Sequence, residues 1–170
     1  INQPYLMLMT SQTPFQKSDP LGPTSRHNDT ISLMTWNLYE GADLRPIFSA
    51  TNRSQFLTEV GAAYKRMEAT NFPERAEAIA DEVKRHKPDL IGLQEAVLIR
   101  TQVPADGPAT PATIISYDFI QILLDKLEKR GLHYRTAVNQ TSSDIEVPGL
   151  FATGQMDVRL ADRDAILVRE

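Results

Sequence analysis

The stretch that most constrains the fold is residues 73–95, where a helix pattern, a proline stop and a short apolar strand follow one another. Apolar residues recur from Ala76 to Val83 at the spacing i, i+3, i+4, i+7, which places them on one face of an α-helix. Pro73 suits the first helical turn, and Pro88 ends the pattern. The segment DLIGLQE that follows has the character of a buried strand with a polar end. This order predicts a helix that leads into a sheet.

A second strand pattern precedes that helix. The segment ISLMTWNL, residues 31–38, is rich in apolar, β-branched and aromatic residues and turns polar at Asn37. Between the two strands, the apolar spacing over residues 55–69 predicts a further helix, with Ser54 as its N-cap. Strand, helix and strand in this order indicate an α/β fold.

The remaining segments continue this alternation. Residues 101–113 hold three prolines and a glycine, which predicts a surface loop. Residues 119–131 have a strongly apolar helical face, and YRTAVNQ, residues 134–140, has the pattern of a strand. MDVRLADRDAILVRE predicts two strands, 156–161 and 164–169, hinged at Asp162 and Arg163.

Length and composition favour a single domain after an irregular segment. Serine, threonine, proline, glycine and asparagine dominate residues 10–30 without periodicity. We therefore predict an irregular N-terminal arm over residues 1–30 and one domain over residues 31–170. No apolar run approaches the roughly 18 residues that cross a membrane, so no membrane span is expected. A cytoplasmic and an exported location are equally compatible with the sequence.

Charge and cysteine content exclude several kinds of site. The net charge of −4 gives no overall positive field for a nucleic-acid backbone, so a phosphate substrate would need a local, metal-assisted site. The absence of cysteine excludes disulfides, thiolate nucleophiles and cysteine-ligated zinc.

The polar residues that end the two predicted strands are candidate metal ligands. Asn37 and Glu95 follow strands on either side of the helical crossover, and ligands of α/β sheets gather beyond the carboxyl ends of the strands. An amide oxygen beside a carboxylate suits Mg²⁺, which prefers oxygen ligands and keeps several waters. The alternative is that both residues are ordinary polar caps on two strands.

These strands and the helix between them resemble the amino-terminal half of the endonuclease/exonuclease/phosphatase superfamily. The matching segments are TWNL at 35–38, ERAEAIADEVKRHKPDLIGLQEA at 74–96 and DRDAILVRE at 162–170. The resemblance covers residues 31–170 in order. It implies an α/β domain that is part of a four-layer α/β/β/α sandwich of the DNase I-like type, with a mixed sheet and flanking helices.

The same resemblance implies a phosphoesterase, a nuclease or a phosphatase, that hydrolyses phosphodiesters or phosphomonoesters with Mg²⁺ or Mn²⁺. It makes Glu95 a metal ligand and gives Asn37 a part in holding a metal-site water or the phosphate, so both are its catalytic and metal-site residues. The metal would polarise phosphoryl oxygens and neutralise charge on the leaving group. The type of phosphoester stays open.

Two further motifs of the superfamily are absent from the sequence. They are Gly-Asp-any-Asn, whose Asp activates the attacking water, and Ser-Asp-His, whose His stabilises the transition state. We therefore expect this chain to be an incomplete, amino-terminal portion of such an enzyme. A non-catalytic binding module and an enzyme completed by another chain are the alternatives. Half of a two-sheet sandwich would expose an apolar sheet face, which predicts self-association.

Arg163 and Asp164 form a third candidate group. An arginine at a strand turn can bind phosphate with its guanidinium, so the pair is predicted to contact substrate. The alternative is a salt-bridged hairpin tip.

Overall fold

A computed structural model describes the backbone of residues 5–10 and the whole of residues 30–170. In these two ranges, seven strands form one sheet and four α-helices accompany it. The strands are Tyr5–Thr10 (β1), Thr30–Asn37 (β2), Leu90–Gln94 (β3), Leu98–Gln102 (β4), Ile114–Asp118 (β5), Tyr134–Phe151 (β6) and Gly154–Arg169 (β7). The helices are Arg45–Phe48 (α1), Arg53–Ala69 (α2), Phe72–His86 (α3) and Phe119–Glu128 (α4). The protein is therefore a mixed α/β fold, as predicted.

The predicted strand, helix, strand unit is confirmed. β2 and β3 pair in parallel, from Leu33 opposite Leu90 to Asn37 opposite Gln94. A parallel pair needs a crossover, which α2 and α3 supply. The pairing brings the carboxyl ends of both strands to the same edge of the sheet.

β7 is the central strand of the sheet, because β3, β4 and β6 pair with it. The strand order is β1-β2-β3-β7-β4-β5, and β6 also pairs with β7. β3 and β4 lie one after the other along β7: β3 pairs with residues 165–168 and β4 with residues 157–161. Residues 95–97, which join β3 to β4, therefore lie beside the middle of β7.

The core lies between this sheet and the helices. Ile91 and Leu93 alternate with less buried residues in β3 and are almost completely buried, as expected for a strand with one face on the core. Phe72 at the start of α3 stacks on Phe119 at the start of α4, with ring centroids 3.7 Å apart. This contact joins the two helices beside the strands that end in Asn37 and Gln94.

The N-cap predicted for α2 is corrected. The helix begins at Arg53, so Ser54 lies within its first turn. Asn52 has the extended backbone of an N-cap, and its side chain accepts a hydrogen bond from the Gln55 amide at 2.9 Å.

The hinge predicted at Asp162 and Arg163 is wrong. Both residues belong to the continuous strand β7 and lie opposite Ser143 and Thr141 of β6. The register shift between Thr141 and Ser143 puts the irregularity in β6, so β7 does not need to turn.

The predicted N-terminal arm is tested only in part. Residues 1–4 and 11–29 lie outside the described residues. Tyr5–Thr10 form β1, which pairs antiparallel with residues 30–35 of β2, so the prediction of irregular chain is wrong for these six residues. The pairing satisfies backbone groups along an edge of β2. Within the described ranges, none of the helices combines the length and the apolar character needed to cross a membrane.

Candidate functional site

Asn37 and Glu95 meet at the carboxyl edge of the parallel pair. The Asn37 Nδ2 donates to Glu95 Oε1 at 2.7 Å, which confirms that the two strand ends lie together. The Asn37 Oδ1 accepts from the Tyr39 amide at 2.8 Å. Because both ends of the Asn37 amide group are engaged, its orientation is set by the surrounding chain.

The backbone of Glu95 explains how its carboxylate reaches this position. Glu95 has a φ of +50°, a left-handed conformation that is uncommon for a residue other than glycine. The next residue, Ala96, donates its amide to the Arg163 carbonyl oxygen at 2.9 Å. The backbone thus departs from the strand conformation at Glu95, and the chain bonds to β7 again at Ala96. Strained backbone of this kind concentrates at functional sites.

The loop after Asn37 is held against Glu95. The Glu40 amide donates to Glu95 Oε2 at 2.9 Å. Arg75 of α3 donates to the carbonyl oxygens of Leu38 at 2.6 Å and Tyr39 at 3.1 Å. The guanidinium of Arg75 therefore positions the loop. With one bond from Asn37 and one from the Glu40 amide, each carboxylate oxygen of Glu95 accepts one hydrogen bond.

Glu40 lies near two other carboxyl groups, those of Glu95 and Asp162. Burial, followed by the charges of Glu95 and Asp162, raises the pKa of Glu40 to about 7. Asp162 of β7 accepts from the Ser142 hydroxyl through Oδ2 at 2.9 Å. Its Oδ1 is buried and has no hydrogen-bond partner among the described residues. The site therefore combines three acidic side chains with one amide.

The donor set at Glu95 fits a divalent ion that keeps most of its water. Each Glu95 oxygen accepts one hydrogen bond and keeps a lone pair for a metal. Within residues 30–170, no group of three or more acidic or histidine side chains is arranged to enclose a metal ion. Mg²⁺ does not need such a cage, because it is usually bound through one or two carboxylates with waters.

Arg163 and Asp164 have different surroundings in β7. The Arg163 side chain is buried: Nε donates to the Ala96 carbonyl at 2.8 Å, and Nη2 contacts Asp118 Oδ1 at 2.6 Å. Asp164 is exposed and, as the next residue in the strand, points to the opposite face of the sheet. Arg163 supports the backbone at Ala96, next to Glu95, and its contact with phosphate stays a prediction.

Sequence reasoning missed the contributions of Glu40 and Asp162. Glu40 follows the first strand in a polar stretch with the pattern of a solvated loop, and Asp162 has the pattern of a hinge between two strands. Their proximity follows from the turn at Tyr39, which has a φ of +57°, and from the unbroken course of β7. Neither feature has a sequence signal such as glycine or proline at the position concerned.

The raised pKa of Glu40 predicts a specific dependence of stability on pH. Between about pH 4.5 and 7 the folded state keeps a proton that the unfolded state loses, so the Glu40 contribution falls as pH rises. We expect Glu40→Gln to raise the free energy of unfolding by about 1 kcal/mol at pH 8, since solvent screening reduces the effect of the full shift. At pH 4 it should have little effect.

Urea denaturation at both pH values measures this difference. Glu68→Gln, which removes a carboxylate from the exposed side of α2, is the control. Equal effects of Glu40→Gln at pH 4 and pH 8 would contradict the assignment.

No family model, curated protein or solved structure matches this chain. The functional interpretation therefore depends on the sequence resemblance and on the geometry of the site.

Proposed function

We propose that residues 31–170 are the amino-terminal portion of a metal-dependent phosphoesterase of the endonuclease/exonuclease/phosphatase type. Asn37 and Glu95 belong to its catalytic site, and Glu95 binds Mg²⁺ or Mn²⁺. The observation that supports this most directly is the 2.7 Å hydrogen bond between the two side chains at the ends of parallel strands. The proposal extends to the fold, in which the observed sheet and its helices are half of a DNase I-like sandwich.

The residues of the site have separate roles in this proposal. Glu95 supplies the carboxylate that holds the ion, which polarises phosphoryl oxygens and stabilises charge on the leaving group. Asn37 orients that carboxylate through its Nδ2, and the Glu40 amide holds the second oxygen. Arg163 fixes the following backbone at Ala96. Pre-organised groups of this kind need little rearrangement when substrate binds.

A second candidate is a binding module that keeps the fold without catalysis. The sequence contains neither Gly-Asp-any-Asn nor Ser-Asp-His, so the groups that would activate water and stabilise the phosphoryl group are absent from this chain. In addition, both oxygens of Glu95 hold neighbouring chain segments, which gives the residue a structural use. Metal binding without hydrolysis would favour this candidate.

The decisive experiment compares the 170-residue protein with its Glu95→Gln variant. We expect slow hydrolysis of bis(4-nitrophenyl) phosphate that requires Mn²⁺ or Mg²⁺, because the chain supplies the metal-holding carboxylate but neither the Gly-Asp-any-Asn nor the Ser-Asp-His motif. The substitution should lower kcat/KM by about 10²-fold or more, because it removes the charge that holds the ion. Calorimetric titration of both proteins with Mn²⁺ provides a separate measure of metal binding.

Glu128→Gln is the matched control, because Glu128 lies on the exposed surface at the end of α4. It should change neither hydrolysis nor Mn²⁺ affinity. Thermal unfolding of each variant identifies any loss of folded protein. Hydrolysis that persists undiminished in Glu95→Gln, or a wild-type protein that neither binds Mn²⁺ nor hydrolyses the ester, would refute the proposal.

A further inference from the structure

A cavity of about 310 Å³ lies between helices α1 and α2 and strands β4, β6 and β7. Most of its surface is apolar. Its lining includes Ile47, Phe56, Val60, Ala63, Val158 and Leu160. A volume of this size lies at the lower end of the range for small-molecule sites and has room for about ten non-hydrogen atoms.

The polar side of the cavity is acidic. Glu40, Ser143 and Asp162 all contribute to its lining. They are neighbours, since Ser143 lies opposite Asp162 in the β6–β7 pair and the charge of Asp162 acts on the Glu40 carboxyl. Among the described residues that line the cavity, none is a lysine, arginine or histidine. A ligand with a negative head group would therefore meet uncompensated repulsion.

The apolar lining and the acidic side of the cavity together indicate the chemistry of its ligand. We propose that this cavity binds an amphiphilic organic ammonium ion, with its alkyl or arylalkyl chain among the apolar residues and its ammonium group between Glu40 and Asp162. The aromatic rings of Phe56 and Tyr64 line the same cavity and add apolar surface for the alkyl or arylalkyl chain. Among the described residues, Asp162 Oδ1 has no hydrogen-bond partner, so a donor on the ligand would complete its hydrogen bonding after a small adjustment. The inference is independent of any hydrolytic activity.

Isothermal titration of the 170-residue protein with three probes tests the inference. The probes are octylammonium, octanoate and octanol, which share the chain and differ in the head group. We expect octylammonium to bind at least tenfold more tightly than either of the others. Equal binding of all three, preferential binding of octanoate, or no binding of octylammonium would overturn the proposal.

Two variants, Ala63→Phe and Asp162→Asn, locate the binding site, and Thr58→Phe is a control. Ala63→Phe fills the cavity from the buried side of α2 and should weaken octylammonium binding at least tenfold. Thr58→Phe, on the exposed side of the same helix, is its control and should leave binding unchanged. Asp162→Asn should reduce the preference for octylammonium over octanol while keeping an acceptor for Ser142. Unchanged affinity and preference in Asp162→Asn would contradict the placement of the head group, even if Ala63→Phe fails to fold.

Discussion

Gly61→Ala is expected to lower the free energy of unfolding by about 2–3 kcal/mol, although alanine in a helix is normally more favourable than glycine by about 1 kcal/mol. Gly61 lies in α2, where a Cβ atom would come within 2.1 Å of the Leu150 carbonyl oxygen of β6. The new Cβ atom is fixed to the helix backbone and the carbonyl oxygen belongs to the strand backbone, so no side-chain rotation can relieve the contact. The helix and the strand would have to separate.

The same helix offers a control for Gly61→Ala. Thr58→Ala changes an exposed position of α2 and should leave stability within about 0.5 kcal/mol of the wild type. Urea denaturation of both variants gives the comparison. A Gly61→Ala protein as stable as the wild type would show that α2 does not approach β6 as closely as described.

Arg163→Met is expected to cost about 3–5 kcal/mol of stability. The substitution leaves Asp118 without its cation and the buried Ala96 carbonyl without the Nε donor. The Arg163 guanidinium is buried while Asp118 is partly exposed, so the main costs are a buried carbonyl that loses its donor and a carboxylate that loses its partner. Because Ala96 follows Glu95, the same variant should also weaken the Mn²⁺ binding that we propose for Glu95.

Arg159→Met supplies the control for a lost arginine in the same strand. Arg159 pairs with Asp144 at 2.8 Å, but both side chains are partly exposed, so its loss should cost about 1 kcal/mol or less. Chemical denaturation compares the two variants. Equal destabilisation would mean that the burial of Arg163 has no energetic consequence.

The parts of the fold that the sequence predicts are those with local, periodic signals. The apolar stripe of α3 and the proline after it are sufficient for the strand, helix, strand unit. The approach of the two strand ends follows from that unit, because parallel strands place their carboxyl ends together, whereas the contact of Asn37 with Glu95 also needs the left-handed backbone of Glu95. The N-cap of α2 is Asn52, two residues before the predicted Ser54, because Asn and Ser are both favourable N-caps and the apolar spacing does not distinguish them.

Features that depend on long-range pairing were not predictable in this way. Asp162 and Arg163 are polar residues between two apolar runs, which is also the pattern of a turn. Their extended conformation depends on β6, which carries the bulge instead. The burial of Arg163 likewise requires Asp118, 45 residues earlier in the chain, as its partner. The acidic side of the cavity arises from the same long-range pairing.

The position of β7 also has a consequence for synthesis of the chain. β3 and β4 are synthesised before β7, but in the described sheet they are linked by strand pairing only through residues 154–169. On the ribosome, the β2–β3 pair and the β4–β5 pair therefore keep unpaired strand edges until residues 154–169 have been synthesised. At typical elongation rates of roughly 5–20 residues per second, their unpaired edges stay open for a time on the order of seconds. Nascent chains in that interval are the form most exposed to mispairing with one another, and therefore the form most in need of a chaperone.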